Sequence, residues 1–139
     1  MNNFISFRHF TGTIRERLTA ASEYCRFHPG TVLKIPAGVY ELEDPLAIET
    51  MEHVLHGDYG RNPEPTMFCP EFPFSVGLNL DGCRDITVDA YGAVLMVHGF
   101  MEPVGIRNSV NVTVNGLTVD HVRRPFSEGR VVRWEPDRV

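Results

Sequence analysis

One segment of this chain repeats, and the repeat restricts the fold more than any other feature. Leu78-Asn-Leu-Asp-Gly-Cys-Arg-Asp-Ile-Thr-Val-Asp89 returns in altered form as Gly105-Ile-Arg-Asn-Ser-Val-Asn-Val-Thr-Val-Asn115. Leu80 matches Ile106, and the run from Asp85 to Asp89 matches the run from Asn111 to Asn115. The offset is 26 positions throughout (Asp85 to Asn111). A glycine and a further strand-like run follow each copy: Gly92-Ala-Val-Leu-Met-Val97 and Gly116-Leu-Thr-Val-Asp120. Each unit reads as strand, Asp/Asn/Ser turn, strand, glycine turn, strand. Short strands recurring at a period in the mid-twenties mark the coil of a solenoid. One coil cannot bury its own apolar side, whereas stacked coils bury a continuous core. The repeat therefore predicts Ile86 over Val112, Val88 over Val114, and Asp89 over Asn115 at a polar corner. The alternative that the repeat leaves open is an ordinary β-sandwich.

Upstream the pattern changes. Thr13-Ile-Arg-Glu16 is a capping box, and Ile14, Leu18, Ala21 and Cys25 form one apolar stripe. His28-Pro29-Gly30 ends that pattern, which predicts an amphipathic helix over about 13–27. The open end of a solenoid needs a cap, and a helix just before the first strand suits that role. Short strands are expected at Thr31 to Ile35, Val39 to Leu42, Leu46 to Ile48 and His53 to His56. A long irregular loop is expected from Arg61 to Phe74, which holds Pro63, Pro65, Pro70 and Pro73. With 139 residues and 42% hydrophobic content, residues 1–139 make a single domain with one core. Its parts are the cap helix and the first coils over about 31–139. The expected class is all-β: a right-handed parallel β-helix of few, truncated turns with one N-terminal amphipathic capping helix.

Charge and cysteines narrow the function classes. The net charge is −5, with 18 acidic and 13 basic residues and no basic run. That argues against nucleic acid or an anionic membrane as partner. Arg123, Arg124 and Arg130 read as a small solvated cluster. Cys25, Cys69 and Cys83 are odd in number and far apart, so neither a disulfide framework nor a metal motif is indicated. No leader is visible in Met1 to Phe10, and Ala90 to Met101 is too short to span a bilayer. A cytoplasmic location is expected for the chain as given, with secretion of a longer parent left open.

Two segments carry a family resemblance. Gly30-Thr-Val-Leu-Lys-Ile-Pro-Ala-Gly-Val-Tyr40, preceded by a helix, resembles the entry to pectate-lyase-like right-handed β-helices. Asp120-His-Val-Arg-Arg-Pro-Phe-Ser-Glu-Gly-Arg-Val131 resembles the segment with which β-helical α-1,3-galactosidases leave their early turns. His121 here replaces an aromatic of that pattern, and the proline is shifted to Pro125. The resemblance implies a carbohydrate partner and no cofactor. It also implies the N-terminal portion of a glycoside hydrolase, of exo-α-galactosidase type, whose catalytic carboxylates lie on later turns. Such a portion is expected to be inactive alone. Two alternatives stay open: a polysaccharide lyase or epimerase, and a non-catalytic structural or carbohydrate-binding module. A homodimer through the open end of the coil is also expected.

Candidate site residues follow from the chemistry of sugars, which are held by paired planar donors and acceptors. Asp81 and Asp85 read as turn residues and Asp89 as a corner; Glu102 is a further acid. Asp120 ends a strand beside His121, Arg123 and Arg124, and these four are the expected substrate-binding residues. The alternative for them is an ion pair tying the strand end to its loop. His53 and His56, taken as lying on one strand, would face opposite sides, so no metal site is expected. Phe68, Phe72 and Phe74 either stack on a sugar or pack their loop over the coil.

Overall fold

A computed structural model describes residues 3–124 and 129–132. The chain is mostly sheet, with few helices, and every strand pairing among the described residues is parallel. The strands are β1 (Asn3–Ser6), β2 (Thr31–Lys34), β3 (Gly38–Glu43), β4 (Val76–Asp81), β5 (Arg84–Asp89), β6 (Ala93–His98), β7 (Glu102–Arg107), β8 (Val110–Asn115) and β9 (Thr118–His121). They form sheet A in the order β1-β2-β5-β8, sheet B in the order β3-β6-β9, and sheet C from β4 and β7. Successive passes of the chain thus add one strand to each sheet in turn.

The register follows the repeat. Ile86 pairs with Val112, Val88 with Val114 and Asp89 with Asn115 in sheet A. Leu80 pairs with Ile106 in sheet C. Parallel, in-register pairing puts like residues into columns, and alternation sends every second column inward. Leu33 and Val88 are both fully buried and precede Val114; Leu42 and Val97 form a second fully buried pair. Leu78, Leu80 and Leu95 complete the centre. Burial falls toward the β7-β8-β9 pass, where Val104, Val112 and Val114 are only partly covered.

Polar side chains hold the corners. Asp85 and Asn111 both sit in the left-handed region, at φ 54° and 57°, which aspartate and asparagine tolerate better than other side chains. The Asn111 amide donates to the Asp85 carboxylate at 2.8 Å, so the two turns stack. Asn108 donates to Asp81 at 3.0 Å. Ser109 Oγ accepts from the Cys83 N–H at 2.9 Å and donates to the Leu80 carbonyl at 2.7 Å. Asp89, above Lys34 in register, pairs with its ammonium at 3.2 Å.

Helix α1 (Ile14–Phe27) forms where its signals predict, with Thr13 Oγ accepting from the Glu16 N–H. Its place differs from the expected lid before the first strand. Strand β1 precedes it, and α1 packs chiefly against β4. There it closes a free strand edge: Ser22 Oγ accepts from the Asn79 N–H at 3.0 Å, and Arg26 Nε donates to the Asp81 carbonyl at 2.8 Å. An unpaired strand edge is a template for aggregation, and these two side chains occupy it. Short, half-exposed β1 gives little sequence signal; pairing to β2 creates it.

The expected strands at Leu46 to Ile48 and His53 to His56 are corrected. Both lie in one helix, α2 (Pro45–His56). Asp44 caps it through Leu46 N–H at 2.9 Å, Pro45 supplies the first turn, and Gly57 ends it in the left-handed conformation. These are ordinary helix start and stop signals, and the buried Ala47, Thr50 and Met51 fall at helical spacing. His53 and His56 therefore share the last helical turn rather than opposite faces of a strand. The expected loop over 61–74 contains one short helix, α3 (Glu64–Met67). Among the described residues, no helix is long and apolar enough to cross a membrane.

Candidate functional site

The outer face of sheet B gathers several polar groups near the expected site. Strand β3 alternates, so Leu42 is buried while Glu41 and Glu43 are exposed. Register places Met96 and then Asp120 in the column of Glu41, and His98 in the column of Glu43. His98 Nε2 donates to the Glu41 carboxylate at 2.5 Å, with Glu43 at 3.8 Å. An imidazole is thus clamped between two carboxylates on one sheet face.

Helix α2 walls this face. It is held close by Gly99, whose hypothetical Cβ would lie 2.4 Å from the Ala47 carbonyl carbon, and by Phe100 N–H donating to Ala47 O at 2.8 Å. Only glycine fits there, because φ is also +90°. Two hollows result, and Ile48 borders both. One, of about 340 Å³, carries Arg15, Glu16, Glu41 and Glu43. The other, of about 220 Å³, carries Glu52, His98 and Arg123.

Of the four expected binding residues, Asp120 and Arg123 reach this region. Asp120 is exposed in the Glu41 column, with Oδ1 accepting from the His121 N–H at 2.8 Å. Arg123 lines the smaller hollow with His98. His121 falls in the inward column of Leu42 and Val97, opposite to Asp120, and is half-buried. Arg124 is exposed. The rest of that motif, residues 125–128, lies outside the described residues. Sequence reasoning missed Glu41, Glu43, Glu52 and His98. The alternation in Tyr40-Glu-Leu-Glu43 was available as a signal, but nothing in the sequence links it to His98 across an interval of 57.

The other acids carry structural partners. Asp81 and Asp85 serve the corners, Asp89 pairs with Lys34, and Glu102 pairs with Arg107. The cysteines are free. Burial, with Cys83 nearby, pushes the Cys25 thiol up to about 12, which makes it a core residue rather than a nucleophile. Phe72 and Phe74 are half-buried within an aromatic cluster, whereas Phe68 is 68% exposed.

Two carboxylates, an imidazole and a guanidinium around small hollows can donate to and accept from vicinal hydroxyls. Glu41 and Glu43, two residues apart on a strand, have Cα atoms roughly 6.6 Å apart. Both are more than half exposed, whereas a glycosidase acid is typically desolvated to stay protonated. Binding therefore fits this face better than bond cleavage.

Over most of its length the chain is related to bacterial proteins named for hydrolysis of galactosides. It is 30% identical over 112 residues to "Alpha-1,3-galactosidase A" of Bacteroides fragilis, a match covering 81% of this chain and 18% of that protein. It is 30% identical over 118 residues to "Alpha-1,3-galactosidase B" of Akkermansia muciniphila, covering 85% and 14%. It is 29% identical over 103 residues to "Alpha-1,3-galactosidase A" of Shewanella woodyi, covering 74% and 15%. The chain thus spans less than a fifth of the length of these relatives. No family model matches it.

Proposed function

We propose that this chain forms the first turns of a right-handed parallel β-helix, within a glycoside hydrolase of the α-galactosidase type. Residues 1–139 act as one domain in this reading, and the catalytic carboxylates stand on later turns. The outer face of sheet B is a sugar-binding surface. Asp120, Arg123 and Arg124 supply ligands at the exit of β9, with Glu41 and His98 beside them. His121 contributes through its backbone N–H, which orients the Asp120 carboxylate. The observation that carries this reading is that two residues of the galactosidase-like segment reach this face: Asp120 stands in the outward column of Glu41, beyond Met96, and Arg123 lines a hollow with His98.

Titration of the chain with methyl α-D-galactopyranoside, followed by NMR, tests it. Shifts are expected at Arg123, His98 and Asp120, and Arg123→Ala should weaken binding about tenfold, the loss of one charge-assisted hydrogen bond. Shifts absent from this face would contradict the reading. Turnover of α-galactosides by the chain alone is expected to be absent, since no desolvated carboxylate pair occurs among the described residues.

A further inference from the structure

A second carbohydrate subsite lies away from that face, on the excursion between β3 and β4. The chain leaves sheet B after Glu43 and enters sheet C only at Val76, whereas the equivalent passage from β6 to β7 needs only residues 99–101. A long excursion in a compact fold costs ordering entropy, which the contacts of α2 and α3 offset in part. This one builds a groove of about 360 Å³ between α2, α3 and Phe100. Val54, Pro63 and Met67 form its walls, with Phe68 and Phe100 as aromatic surfaces.

The rings are supported from beneath. Phe74 stacks on Phe68 at 6.1 Å and 15°, and approaches Phe100 at 5.8 Å. Phe72 in turn packs on Phe74 at 5.1 Å. Phe4 and Phe27 are as exposed as Phe68, at 67% and 74% against 68%, but Phe68 is the one whose ring is braced by a neighbouring ring and faces a groove. The rim is polar. Asn62 Oδ1 accepts from the Glu64 N–H at 3.2 Å, so its amide NH₂ is the end left to donate. Glu64 adds an acceptor carboxylate.

We infer that this groove binds one pyranose ring, stacked by its C–H face on Phe68 and hydrogen-bonded through its hydroxyls to Asn62 and Glu64. At about 360 Å³ the groove lies at the small end of the range for ligand pockets, a size suited to one sugar ring. The Glu64 carboxylate disfavours an anionic ligand, and the two rim groups disfavour a purely apolar one. The choice of a sugar as ligand rests on the carbohydrate reading above; the groove is separate from the Asp120 face.

The test is an NMR titration of the full chain with methyl α-D-galactopyranoside, observing backbone amides and phenylalanine ring carbons. Shifts at Phe68, Phe100 and Glu64 are expected, and Phe68→Ala should weaken that binding roughly two- to tenfold, the span of an aromatic stacking contact. Glu64→Gln, which leaves the aromatic support intact, should weaken it as well. Shifts confined to Arg123 and Asp120 would overturn the groove while leaving the first site standing. Shifts confined to the groove would do the reverse. Groove signals that move with protein concentration and ignore the sugar would assign it to a second copy of the chain and overturn the inference.

Discussion

Single residues carry much of the geometry here. Gly99 shows how. It combines φ +90° with a backbone approach that no Cβ can enter, whereas Gly57 has φ +75° and open space around it. Replacement by alanine should therefore cost more at Gly99. We expect Gly57→Ala to lose about 1 kcal/mol from the left-handed conformation alone. Gly99→Ala should lose that and about 1–3 kcal/mol more, by displacing α2. Urea denaturation of both variants compares them, and equal losses would mean that α2 does not rest on this turn. His53 offers a pH test. Hydrogen bonding to Asp58 at 2.7 Å raises its pKa, with Glu49 adding to the effect. The folded value lies above the unfolded one, so the stabilisation is complete below the unfolded pKa of about 6.5 and is lost as pH rises through the folded value. An NMR titration of the His53 ring should give a raised midpoint, and Asp58→Asn should lower it. Neither residue's role could be read from the sequence: a glycine's neighbours and a histidine's partners depend on α2, which a reading of Leu46 to Ile48 and His53 to His56 as two strands conceals.

At the scale of elements, α1 and α2 contrast in legibility. The capping box and apolar stripe of α1 are local, so its limits were visible at once. Its placement on β4 was not, because nothing local says that Ser22 and Arg26 replace a neighbouring strand. Ser22→Ala leaves the Asn79 N–H without its acceptor at a part-buried edge. The expected loss is about 1–3 kcal/mol in chemical denaturation. A change within a few tenths would show that water serves that edge equally well. In α2 the start and stop signals were present in Asp44-Pro45 and Gly57, but the β-rich surroundings favoured strands. The outer-face columns were hidden for a related reason. Residues of β3 and β6 pair across an interval of 55 (Glu41 to Met96). The passage at 44–75 breaks the period that links β5 to β8. The excursion that obscured Glu41 and His98 from sequence reasoning is the one that builds the aromatic groove.

For the whole molecule, stability rests on columns of apolar side chains that span successive passes of the chain. Leu95, fully buried between Tyr40 and Val119, belongs to one of them. Leu95→Ala should cost about 2–5 kcal/mol by leaving a cavity, and the thermal transition should fall accordingly. The columns thin out at the β7-β8-β9 pass, where Ile106 is 49% and Val110 56% exposed. We propose that two copies of the chain meet through this pass when it stands alone. A dimer in sedimentation that dissociates on Ile106→Lys supports that, and a monomer at high concentration contradicts it.

In-register parallel stacking of segments 26 residues apart underlies the site, the columns and the carbohydrate reading alike. Thr87 and Thr113 are direct partners on the outer side of sheet A. Cysteines at both positions, in a Cys69→Ser background, should sit roughly 4.8 Å apart at Cα, within reach of a disulfide. Oxidation should cross-link Thr87→Cys/Thr113→Cys nearly completely, and Thr87→Cys/Asn115→Cys hardly at all. Equal or greater cross-linking of the offset pair would contradict the in-register stacking of β5 on β8.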